Sequence, residues 1–217
     1  FCLHGVLFQK FHLHLKYICT SLYYHILFKI SFLMTDQTVH TTITKVENVI
    51  ADYLFKSDFY EIKNWAFDFS ADKKSSKGYN DCLCVVFVKK GNFLFDLLMD
   101  SYDMHTGHIL IDKPNYEYKL RPATGECSIF NFTDNFYKQF IDDLNLKYSF
   151  FFSNPNILSL LLKSTPETEY LHYQIMKKVA YAGKLEMDNL VLELLKHIVA
   201  SITNYPVDDE LDTSLKT

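Results

Sequence analysis

Three stretches between Leu83 and Phe132 decide the fold: LCVVFVKKGNFLFDLL (83–98), GHILIDKPNYEYKL (107–120) and GECSIFNF (125–132). Each holds apolar or alternating runs of strand length, broken by Gly, Asn or Pro where the chain has to turn. Working outward, the predicted strands are Trp65–Phe69, Leu83–Val88, Phe93–Leu98, Gly107–Ile111, Tyr116–Leu120 and Ser128–Phe132. Lys89-Lys90-Gly91-Asn92, polar and set between two apolar runs, predicts a hairpin loop. Strands this short and closely spaced predict a sandwich or barrel rather than crossover units.

After Phe132 the period becomes helical. Thr133 is placed to cap a helix that carries Phe136, Tyr137, Phe140, Ile141 and Leu144 on one face. Thr165 followed by Pro166, with Glu167 and Glu169 in the first turn, marks a second helix start, and Leu171, Ile175 and Val179 form its stripe. Gly183 is read as its stop. Met187, Leu190, Val191, Leu194, Leu195, Ile198 and Ile202 follow at spacings of three and four, so the two helices are expected to form an antiparallel hairpin. The fold class expected is therefore mainly β with carboxy-terminal helices.

The 217 residues suit one compact domain with an appendage, or two small ones. No stretch approaches GxGxxG or GxxxxGK[ST], which excludes the common phosphate-cradling loops. Net charge is −4 overall; residues 1–33 hold Lys10, Lys16 and Lys29 and no acid, leaving −7 for residues 34–217. An acidic body has no broad field for a phosphate backbone, so DNA binding by this chain alone is not expected. Five cysteines, an odd count without a CxxC, point to reduced thiols and a cytoplasmic setting.

Residues 1–33 differ from the rest. Their best apolar stretch, Tyr17–Leu33, is interrupted by His25 and Lys29, and no small-residue cleavage site is visible. Upstream translation ahead of a start at Met34 is preferred to a membrane anchor. The organisation expected is a doubtful leader (1–33), a barrel domain (34–154), a helical hairpin (155–205) and an acidic tail (206–217).

The residues FVKKGNFLFD, HTGHILIDKPNYEYKL and GEC within Phe87–Cys127, continued by SIFNFTDNFY and SNPNILSLLL, resemble the amino-terminal sensor domain of AraC-type bacterial transcription regulators. The resemblance covers roughly residues 40–205. It implies a cupin-type barrel that binds a small-molecule effector, helices that pair two chains into a homodimer, and a carboxy-terminal double helix-turn-helix module for DNA that would follow Thr217. It implies no catalytic residue, so the chain is expected not to be an enzyme; the alternatives are a small-molecule-binding cupin-like enzyme and a stand-alone dimerisation module that antagonises full-length regulators.

Barrels of this type often build a metal site from a Pro-Gly turn with a nearby His. Here Gly107 leads into Pro114 and Asn115, with Tyr118 beyond, and Asn keeps the turn without the ligand. His105 and His108 alone do not make a ligand set, so no metal or other cofactor is expected. Trp65, Phe67, Phe87, Phe93, Phe95 and Tyr118 suit either a core or the wall of an effector pocket. Asp112 and Glu117 are read as solvent-facing and Cys127 as a buried structural thiol. Met187, Leu190, Val191, Leu194 and Ile198 suit internal packing or a dimer seam, and the resemblance favours the seam.

Overall fold

In a computed structural model of the chain the described residues are 43–46, 49–70, 76–143, 146 and 149–203. The expected leader (1–33) and acidic tail (206–217) lie outside them.

Among the described residues there are ten strands: β1 (Ile43–Val46), β2 (Val49–Lys56), β3 (Tyr60–Asp68), β4 (Ser76–Asn80), β5 (Leu83–Leu97), β6 (Asp100–His105), β7 (His108–Asp112), β8 (Tyr116–Leu120), β9 (Thr124–Phe132) and β10 (Ser159–Lys163). The larger antiparallel sheet runs β1-β2-β3-β9-β5-β7-β10, and a smaller one joins β4, β8, the second half of β5 and β6. The helices among the described residues are α1 (Asp134–Asp143) and α2 (Phe150–Ser153), between β9 and β10, and α3 (Pro166–Lys178) and α4 (Lys184–Thr203), after β10. The architecture is the expected one, a mainly antiparallel β body with a helical hairpin at its carboxy-terminal end.

The predicted hairpin at Lys89–Asn92 is corrected by the structure. β5 is one continuous strand of 15 residues that enters both sheets. Its register against β9 slips between Val88 and Lys90, and Gly91 adopts φ +95° with its Cα so close to β9 that a Cβ would collide with the Thr124 carbonyl oxygen. A bulge at this point bends the strand and resets which residues face inward. Leu83, Val85 and Phe87 therefore face the helices, whereas Phe93, Phe95 and Leu97, of the same parity, face the space between the sheets. The tight turns are made elsewhere, at Leu98 (φ 52°), Gly107 (φ 89°) and Asn115 (φ 75°). Asn115 is thus in the left-handed region that Asn tolerates.

Thr165 caps α3 in a reciprocal box: its Oγ1 accepts from Thr168 N at 3.3 Å while Thr168 Oγ1 accepts from Thr165 N at 2.9 Å. Gly183 begins α4 rather than ending α3, since α3 stops at Lys178 and the Gly183 carbonyl accepts the first bond of the next helix, from Met187 N at 3.1 Å.

α3 and α4 lie on the outer face of the larger sheet. Ile62, Val85, Phe87, Ile109 and Phe130 from the strands share one buried cluster with Ile175, Met187, Val191, Leu194, Leu195 and Ile198 from the helices. This corrects the dimer seam: Met187, Val191, Leu194 and Ile198 are 2% exposed or less within their own chain, and Leu190 packs against the same cluster. The outer face of the sheet is mostly apolar, and burying it requires this helical stripe. β10, in the segment assigned to the hairpin, pairs with β7 and belongs to the sheet.

Candidate functional site

Strand pairing places Glu61, Asn131, Cys84, Asp112 and Ser159 directly opposite one another on β3, β9, β5, β7 and β10. Opposed residues share a sheet face, so these five form one polar row across the inner face of the barrel. Asn131 Nδ2 donates to Glu61 Oε1 at 2.9 Å, and Asn80 Nδ2 donates to the Lys113 carbonyl at 2.9 Å. Both amide oxygens thereby point at Cys84 Sγ, each at 3.0 Å. Cys82 Sγ lies 3.6 Å from Cys84 Sγ. The neighbouring Cys82 thiol and burial hold the Cys84 thiol well above its ordinary pKa, and burial pushes Cys127 up to about 12. Neither thiol is set up as a thiolate nucleophile.

Asp112 and Ser159 each leave a buried polar atom of the row unpartnered. Asp112 is 5% exposed, its Oδ1 is buried with no hydrogen-bond partner, and the hydroxyl of the adjacent Ser159 is likewise unpartnered. Burial pushes its pKa up to about 7, against the lowering influence of the nearby Ser159 and Tyr116 hydroxyls. The expectation that Asp112 and Glu117 face solvent is corrected for Asp112 and holds for Glu117, which is exposed. In HILID, Ile109 and Ile111 face the helices while Leu110 and Asp112 face the barrel interior, and β7 lies between β5 and β10, so both of its faces are covered.

Next to this row lies a cavity of about 120 Å³, with Asp112, Asn131, Cys82 and Cys84 among its lining and Val86, Leu110, Ile129 and Cys127 continuing the wall. The exposed Tyr79 and Asp81 also border it. Of the six aromatics singled out from the sequence, the structure brings Trp65, Phe93, Phe95 and Tyr118 to the cavity. Phe95 and Tyr118 stack with ring centroids 5.0 Å apart. Phe67 stands behind them, edge-on to Phe93 at 5.0 Å and tight against Gly125. Phe87 does not belong to the site. It lies on the opposite face of β5, stacked on His172 of α3 at 4.2 Å, because the bulge that turns Phe93 inward comes after it.

Gly107, Pro114 and Asn115 shape turns and do not line the cavity. His105 and His108 have ring centroids 3.8 Å apart, at the end of β7 remote from Asp112. Among the described residues no group of three or more His, Cys, Asp or Glu converges as metal ligands. A two-histidine pair away from the cavity does not fit the ligand number a bound transition metal needs.

No family model matches the sequence, and no curated protein matches it. Solved structures do match. The AraC-like transcriptional activator CuxR is 14% identical with a TM-score of 0.53, the match covering 71% of this chain and 55% of CuxR. The chain thus matches about half the length of that regulator. A cupin domain from Bordetella pertussis Tohama I is 11% identical (TM-score 0.34; 42% of this chain, 98% of that one). The mannose 6-phosphate isomerase from Bacillus subtilis is 10% identical (TM-score 0.37; 46% and 30%). Chains of enzymes are among the structures this fold resembles, so the expectation that the chain is not an enzyme is withdrawn. The fold itself, a mainly β body with carboxy-terminal helices, is of the kind also found in that AraC-like regulator.

Proposed function

We propose that the barrel binds a small molecule and serves as the sensing part of an AraC-like transcription regulator. The observation that carries this reading is the placement of the cavity and the helices on opposite faces of the same strands. Val86 lines the cavity while its chain neighbours Val85 and Phe87 pack beneath α3 and α4. A ligand that moves β5 by a fraction of an ångström presses directly on the helical layer, because a close-packed core transmits displacement rather than absorbing it. Contact with DNA belongs, in this reading, to another part of a longer protein. Pairing of two chains is part of the proposal too, through a face other than the Met187–Ile198 stripe.

The cavity bounds the ligand. At about 120 Å³ it is well under the ~300–1,000 Å³ of drug-sized sites and close to the ~150 Å³ that admits one benzene ring. The test is a melting-temperature screen of metabolites of this size, followed by hydrogen exchange on α3 and α4 with any binder. A ligand that stabilises the protein and slows exchange in α4 supports sensing. A ligand that binds without changing exchange in either helix would reduce the chain to a simple binder.

A further inference from the structure

We infer that the cavity selects a small organic cation, an alkylammonium whose charged head pairs with Asp112 and whose alkyl body lies against Trp65, Phe93, Phe95 and Tyr118. The inference rests on the ligand-binding reading above and adds the chemical class of the ligand. Its starting point is the orphaned oxygen. Asp112 lines the cavity, and its Oδ1 is buried with no hydrogen-bond partner in the protein. A buried acceptor left without a donor costs free energy that a ligand donor restores on binding.

Two lysines stand near, and each has another partner. Lys113, the chain neighbour, turns its ammonium away, donating to the Asn154 carbonyl at 2.7 Å and lying 4.7 Å over the Phe151 ring. Lys63, which also lines the cavity, is placed 4.0 Å from the Glu61 carboxylate and 5.9 Å from the Tyr53 ring centre. The hydroxyls beside Asp112, of Ser159 in the row and of Tyr116, are neutral. A carboxylate without a counter-ion beside several aromatic rings is the arrangement that holds an ammonium group, since ring faces attract cations and exclude anions. The net charge of −7 on residues 34–217 draws cations toward the molecule as well.

Three probes of one shape decide it: isobutylammonium, isobutanol and isobutyrate, titrated calorimetrically into the full chain at pH 8. The ammonium is expected to bind at least about tenfold tighter than the alcohol, and the carboxylate weakest. Asp112→Asn should remove that preference while leaving the alcohol's affinity within about threefold of wild type. Alcohol binding equal to or tighter than ammonium would overturn the cation inference and leave the cavity reading standing. No binding by any of the three would overturn both. The wild-type comparison decides between these outcomes even if the variant does not fold.

Discussion

The Tyr60 hydroxyl on β3 donates to Asp188 Oδ1 on α4 at 2.9 Å, and both residues are buried. It is a polar tie between sheet and helix within a mostly apolar interface. Burial raises the pKa of each group, and Asp188 Oδ2 has no partner.

Tyr60→Phe removes one oxygen and strands a buried carboxyl, so it should cost about 1–3 kcal/mol. Removing both partners, as Tyr60→Phe with Asp188→Leu, should recover part of that loss, because no unsatisfied group remains. Urea unfolding of the two single variants and the double variant measures the coupling. Strictly additive losses would show that the bond carries no stability.

Asp112 gives the protein a distinct pH response. Its folded pKa of about 7 lies above the ordinary carboxylate value of 3.8. The neutral form is the one the fold prefers, so the group's stabilising contribution is complete below about pH 4 and is lost as pH rises through 7. Asp112→Asn cannot ionise and escapes that loss. Its melting temperature should exceed that of wild type at pH 8 and approach it at pH 5, the corresponding stability difference being about a few kcal/mol at most. An equal difference at both pH values would mean that Asp112 does not change protonation in this range.

Gly91 and Gly107 both have positive φ, yet they should respond differently to alanine. A Cβ at Gly107 would meet nothing nearer than Ser164 Oγ at 3.9 Å, so Gly107→Ala pays only the left-handed backbone cost of about 1 kcal/mol. Gly91→Ala adds a collision with the Thr124 carbonyl oxygen, part of a backbone that cannot swing aside. It should cost about 2–4 kcal/mol, read from denaturant midpoints. Similar losses at the two sites would remove the bulge's special status.

Much of this fold is legible in the residues. The alternation in YEYKL, the Thr165-Pro166 helix start and the three-and-four stripe of α4 each report local physics, and each falls in the expected element. KKGN was misread because its polarity fits a turn equally well; only the pairing of β5 with both sheets shows that Gly91 serves a bulge. The sequence groups Phe87 with Phe93 and Phe95 as core or pocket wall for the same reason, since one inserted residue inverts the parity of everything beyond it. Asp112 is a different kind of miss. An acid ahead of Lys-Pro-Asn looks like the polar edge of a turn, and its burial follows only from β7 lying between β5 and β10, a long-range pairing that short-range pattern does not encode.

The stripe on α4 makes the last prediction. Leu194 is 1% exposed and belongs to the cluster that also holds Phe87, Ile109 and Phe130 of the sheet. A lysine there would place an unpaired charge in the centre of that cluster and also forfeit the leucine's packing, at a cost of about 3–5 kcal/mol. That is a large part of the stability of an ordinary domain. Leu194→Lys should therefore lose its cooperative thermal transition or aggregate, whereas Tyr173→Lys, on an exposed position of α3, should keep it. Circular dichroism and sedimentation velocity on the same samples separate the possibilities. A folded Leu194→Lys monomer from a dimeric wild type would show that the stripe is an interface between chains after all, and that the sheet does not need it.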